Sequence, residues 1–178
     1  VGVAANLSRI GRVDLERPEE YLASSNLLAL AQEMEWWDPA SGKPFRFWEA
    51  YGGKKPFTVR EYWVFRELAP SLALDFEQAE ELPFSVKPER PVTREDLFRL
   101  LRATYEGSPF DLTRNLVLPD PKAGAPAKAS HVHPWLAKDQ MDLFNALQPG
   151  SVTFHRPIAV MFNAYHTVLQ CRAWLPDT

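Results

Sequence analysis

The stretch from Thr93 to Thr113 constrains this chain most, because it specifies both ends of a helix and the turn beyond. Thr93-Arg94-Glu95-Asp96 has the form of a capping box, with Thr93 as N-cap and Asp96 helping the first turn. Leu97, Leu100, Leu101 and Tyr105 follow at helical spacing as one apolar stripe. Gly107 ends the helix and Pro109 prevents its return. The turn itself, Tyr105-Glu106-Gly107-Ser108-Pro109-Phe110-Asp111-Leu112-Thr113, crowds two carboxylates, hydroxyls and chain breakers together. Glu106 and Asp111 invite an acid–base reading; the alternative is that they lock the turn.

The 178 residues fit one domain, long enough to bury a real core. With 20 basic and 23 acidic residues the net charge is -3, which leaves no general nucleic-acid footprint. Sixteen prolines against eight glycines point to rigid loops rather than glycine-built phosphate cradles (Pro 16, Gly 8). No apolar run reaches bilayer-spanning length, and no basic-then-apolar leader opens the chain, so no membrane role is expected. One cysteine cannot form an internal disulfide, and the reading leans to the cytoplasm rather than export.

Val1–Ala5 reads as a buried strand, with Asn6-Leu7-Ser8-Arg9 at its end. Such an edge commonly carries ligand-facing groups, although capping the turn is the plainer role for Asn6. Ser24 or Ser25 can N-cap a helix running to about Glu35, with Leu27, Leu28, Ala31 and Met34 as its stripe. Trp36, Trp37, Phe45, Phe47, Trp48 and Tyr51 read as core or interface before they read as a substrate pocket. Thr58 to Leu68 fits a short amphipathic helix, and 70–91 a surface segment whose acids form a solvated face. Met141, Leu143, Phe144 and Leu147 mark a brief helix before Pro149-Gly150.

The last third reads as strands at Val152–His155, Ile158–Phe162 and Tyr165–Trp174. In strict alternation Cys171 points away from Gln170 and Arg172, which makes it core rather than nucleophile. His131-Val132-His133 has a spacing that can hold a metal, but no nearby cysteine or carboxylate completes a ligand set. No cofactor and no metal site is expected. Strand-like runs at both ends, and Val rather than Met at position 1, read as a piece of a larger domain. Open strand edges would then favour pairing with a missing N-terminal segment or chain, or with another copy in a homo-oligomer.

Several separated pieces resemble one family in its own order. Tyr105 to Thr113 is similar to the helix-then-turn segment of the secernin-like cysteine dipeptidases, which are N-terminal-nucleophile hydrolases. Ala4-Ala5-Asn6-Leu7-Ser8-Arg9-Ile10 resembles a strand end of that family. Glu33 to Pro39, Pro44 to Phe47 and Ala50-Tyr51-Gly52 resemble its aromatic-rich region, and Val168 to Pro176 its strand ending in Trp-Leu-Pro. Residues between Thr113 and Val152 depart from the family pattern, and His155-Arg156-Pro157-Ile158-Ala159 matches it loosely.

The resemblance implies an α+β fold, a partial αββα sandwich spanning 1–178 as the middle-to-late part of a dipeptidase domain. It implies hydrolysis of dipeptides by an N-terminal cysteine whose own α-amine is the base. Val1 cannot supply that thiol, so this chain alone is expected to be inactive. It also implies Asn6 as an oxyanion donor and Arg172 as a bidentate carboxylate ligand, both catalytic, with Arg9, Tyr105 and Asp111 facing the substrate. The alternatives are a non-catalytic relative or subunit acting in binding or assembly, and a free-standing hydrolase using Cys171.

Overall fold

The computed structural model describes residues 1–53, 55–119, 122, 124, 126–128, 137–159 and 167–169. Around one helix, α2 (Val59–Leu68), the interior is arranged. Thr58 caps it through a Thr-x-x-Glu capping box, and its apolar residues fall on two faces rather than one. Val59, Trp63, Val64 and Leu68 pack with Leu100, Ala103, Tyr105, Phe110 and Leu112. Phe65 faces the other way, into a second cluster with Phe57, Ala69, Leu82 and Val86. A helix buried on two sides becomes the central post of the fold.

Helix α1 (Leu27–Glu33) precedes it. Asn26 takes the N-cap position without a side-chain cap, so neither Ser24 nor Ser25 has the expected role. Leu27 and Ala31 are buried, whereas Met34 is half exposed. The Tyr51 hydroxyl donates to the Leu27 carbonyl at 2.6 Å, and Phe47 stacks on Tyr51 with ring centroids 4.9 Å apart. Trp36 and Trp37 join the same group edge-to-face, against Tyr51 and Phe45. These rings pack against one another at the surface, and Trp36 and Trp37 also line a cavity of about 230 Å³.

Helix α3 (Arg94–Arg102) starts as its sequence requires, with Thr93 and Asp96 satisfying each other's backbone N–H groups. The apolar stripe is only partly used: Leu100 is buried, while Leu97 and Phe98 are more than a third exposed. Arg99 donates to Glu67 of α2 at 2.5 Å, and this ion pair ties the two helices together. Arg90 forks onto both Asp96 oxygens at 2.7 and 2.6 Å. That fork first, then the Thr93 N–H, holds the Asp96 carboxyl well below the usual carboxylate range. A depressed carboxylate adds stability above its unfolded value of about 4 and loses it as pH falls toward the folded value. Asp96→Asn is therefore expected to lower the melting temperature at neutral pH, with the gap to wild type closing below about pH 4. Thermal melts from pH 2 to 7 check this; a gap independent of pH would contradict it.

The expected α+β sandwich is corrected by this structure. Among the described residues the secondary structure is mainly helical. The strands β1 (Val117–Pro119) and β2 (Pro126–Lys128) form one short antiparallel pair, with Leu118 opposite Ala127. The apolar run at Val1–Ala5 makes a single bridge, Gly2 opposite Ser85, flanked by mutual backbone bonds between Val1 and Val86. Pro83 and Pro88 lack N–H groups on either side of that bridge, so the ladder cannot extend along 83–88.

Val152 is likewise not in a strand. Asn145 of α4 (Lys138–Leu147) takes its backbone in both directions, accepting from its N–H at 3.1 Å and donating to its carbonyl at 2.9 Å. A side-chain amide there fills the place a neighbouring strand would occupy. Pro157 then interrupts the run toward Ile158. The third expected strand, Tyr165–Trp174, falls mostly outside the described residues, as do His131, His133, Cys171 and Arg172.

Candidate active site

At the start of α2 the capping box is wired to a point far away in sequence. Glu61 Oε2 accepts from the Thr58 N–H at 2.9 Å and from the Thr58 hydroxyl at 2.5 Å. The Thr58 oxygen in turn accepts from the Arg60 backbone N–H and from Arg60 Nε, both at 3.2 Å. Arg60 Nη1 then donates to Asn6 Oδ1 at 3.0 Å. One chain of hydrogen bonds thus runs from buried Glu61 to exposed Asn6.

A second guanidinium reaches the same oxygen. Arg156 Nη1 lies 3.4 Å from Asn6 Oδ1. Guanidinium groups can only donate, so the Asn6 carbonyl must face them and its NH₂ must face away. Among the described residues that NH₂ group has no hydrogen-bond partner. The result is an asparagine whose donor is presented in a fixed direction.

Tyr105 supports this arrangement from beneath. It is fully buried, sits edge-to-face on Trp63, and donates its hydroxyl to the Arg156 carbonyl at 2.6 Å. Its backbone is left-handed, with φ of 63°, an uncommon state for a residue with a large side chain. Burial pushes its pKa up; Glu61 adds to that and Arg60 opposes it, so the phenol stays a neutral donor. The next residues hold the turn shut. Ser108 Oγ donates to the Tyr105 carbonyl at 2.7 Å and accepts from the Phe110 N–H at 3.0 Å.

The two tempting carboxylates are both occupied locally. Glu106 reaches back to the Thr104 N–H at 3.2 Å and to the Thr104 hydroxyl. Asp111 accepts from the Gly107 N–H at 2.9 Å and from the Thr113 N–H and hydroxyl at 2.8 and 2.5 Å. Burial raises its pKa, but the bonds from Thr113 and Gly107, with Arg114 nearby, outweigh that and leave it lowered. These are Asx-type turn locks.

Arg9 is spent on the backbone too. It donates to the carbonyls of Val3, Leu82, Pro83 and Phe84 and lies over the Phe65 ring, 5.2 Å from its centroid. Desolvation lowers its pKa, with Glu61 acting the other way. Of the five residues singled out in the sequence, the structure links Asn6 to Tyr105 through Arg156. It places Arg9 and Asp111 in local structural roles, and Arg172 lies outside the described residues.

Sequence reading missed Arg60, Arg156 and the Thr58–Glu61 box. The Thr-x-x-Glu spacing at 58–61 was the available signal. The cleft between α2 and α3, about 640 Å³ and lined by Trp63, Arg66, Phe98 and Arg102 among others, includes none of the five candidates. Among the described residues no cluster of three His, Cys, Asp or Glu side chains could hold a metal ion. Among them also, no helix is long and apolar enough to cross a membrane.

The family model of peptidase family C69 matches residues 1–178. Neither the curated proteins nor the solved structures contain a match to the chain. With the match covering its whole length, and the ordered motifs of the secernin-like dipeptidases on it, this chain belongs to peptidase family C69.

Proposed function

We propose that this peptidase cleaves dipeptide amide bonds through an N-terminal cysteine that the present chain does not carry, and that Asn6 is its oxyanion donor. The observation that supports the reading is the double clamp on Asn6. With Oδ1 held by Arg60 and Arg156, the NH₂ group is the part of the side chain turned outward. When a thiolate adds to a peptide carbonyl, the oxygen becomes an anion within one step. A donor already fixed toward that position stabilises the charge without reorganising.

The two guanidiniums add a positive field behind the amide, which polarises the NH₂ further toward an anion. Arg172 belongs to this proposal on sequence grounds alone, as a further guanidinium of the site. Tyr105 acts through Arg156 and is a positioning residue.

Asn6→Ala in the intact protein is expected to lower kcat on dipeptides by about 10²–10³ with little change in KM, as for loss of an oxyanion donor. Steady-state kinetics on a dipeptide panel read this out. Undiminished kcat in the variant removes Asn6 from the chemistry, and a wild-type protein inert to every dipeptide removes the hydrolase reading.

A further inference from the structure

Arg60 has an environment that the oxyanion role of Asn6 does not explain. Its guanidinium is half-buried and held at two points, Nε on Thr58 and Nη1 on Asn6, and both acceptors are neutral oxygens. Among the described residues no carboxylate pairs with it. The nearest in sequence, Glu61, has one oxygen committed to Thr58, and its other oxygen is buried without a partner. Arg17, Arg46, Arg90, Arg94 and Arg99 have acidic partners, whereas Arg60, like Arg9, has its bonds on neutral oxygens. Nη2 of Arg60, with two N–H donors, has no partner among the described residues.

Substrate geometry gives that donor a use. In a dipeptide the C-terminal carboxylate carbon is three bonds from the scissile carbonyl carbon, about 3–4 Å away, because both flank a single residue. An enzyme that attacks that carbonyl must therefore meet a full negative charge immediately beside its oxyanion donor. Arg60 Nη1 is 3.0 Å from the same amide whose NH₂ faces outward. The two bonds that immobilise the guanidinium have already removed the side-chain entropy that binding would otherwise cost.

Resting on the dipeptidase reading above, we infer that Arg60 is the residue that takes the C-terminal carboxylate of the substrate and restricts the enzyme to short, free-acid peptides. A planar fork suits a carboxylate, and a neutral C-terminal amide offers it only one oxygen and no charge.

The test compares alanyl-alanine with its C-terminal amide in the intact protein. Wild type is expected to prefer the free acid in kcat/KM by about 10- to 100-fold, the range of a charge-assisted hydrogen bond. Arg60→Gln should bring the preference to within about threefold, through loss on the acid alone. Arg60→Lys, which keeps the charge without the fork, should fall between and carries the test if the glutamine variant does not fold. Calorimetric binding of the reduced-amide isostere of the same dipeptide, as acid and as amide, repeats the comparison without turnover.

An unchanged acid preference in both variants, in turnover or in binding, overturns the inference; so does a wild type that binds acid and amide alike. Absent turnover with an Arg60-dependent binding preference would instead sink the dipeptidase reading and leave the carboxylate site standing.

Discussion

Tyr105→Ala is expected to destabilise the protein by about 3–5 kcal/mol, the range for removing a large buried aromatic. The ring is fully buried in the cluster that joins α2 to α3. A gentler replacement separates the ring from its hydroxyl. Tyr105→Phe keeps the packing and removes only the donor to the Arg156 carbonyl, so about 1 kcal/mol is expected from loss of that hydrogen bond. The phenylalanine variant should also slow turnover, because the residue released is the one whose guanidinium bonds Asn6. Urea titrations of the three proteins check the ordering. Tyr105→Phe within 0.5 kcal/mol of wild type, roughly the spread of neutral surface changes, would show that the hydroxyl is not what anchors Arg156.

Phe65→Ala is expected to cost about as much, roughly 3–5 kcal/mol, for the same cavity reason on the opposite face of α2. Phe65 is also fully buried. Its ring carries a second load, since the Arg9 guanidinium lies 5.2 Å from its centroid while bonding the carbonyls of Val3 and of 82–84. A double-mutant cycle of Phe65→Ala with Arg9→Gln should therefore give a coupling of about 0.5–2 kcal/mol, the range of a partly desolvated cation–π contact. Additive effects would place Arg9 outside this core and reopen it as a ligand for substrate.

How much of this was legible in the sequence follows from the range of each signal. The start of α3 could be read because a capping box is complete within four residues, Thr93 to Asp96. The amphipathic reading of 58–68 gave Glu61 no particular place, and it is buried. The N-cap at Thr58 draws it back over the first turn, where it accepts from the Thr58 N–H and hydroxyl. Strands were misread at Val1–Ala5 and Val152–His155. A β-like composition states that a segment would accept a partner, not that one is available. At the first place prolines at 83 and 88 limit the partner, and at the second the Asn145 side chain takes its role.

The candidate site divides along the same line. Asn6 and the turn at 105–113 were visible in the sequence because polar groups at a segment's end, and a helix stop followed by proline, are local patterns. Family membership was visible for a related reason, since ordered motifs survive without any knowledge of contacts. What only the tertiary structure decided is which side chains share a point in space. Arg60 is 54 residues from Asn6, and Arg156 is 150 residues from it, and no periodicity links either to that asparagine. Those two guanidiniums, rather than the local carboxylates, set the direction of the Asn6 amide, because a fixed donor needs acceptors and donors brought together from separate parts of the chain.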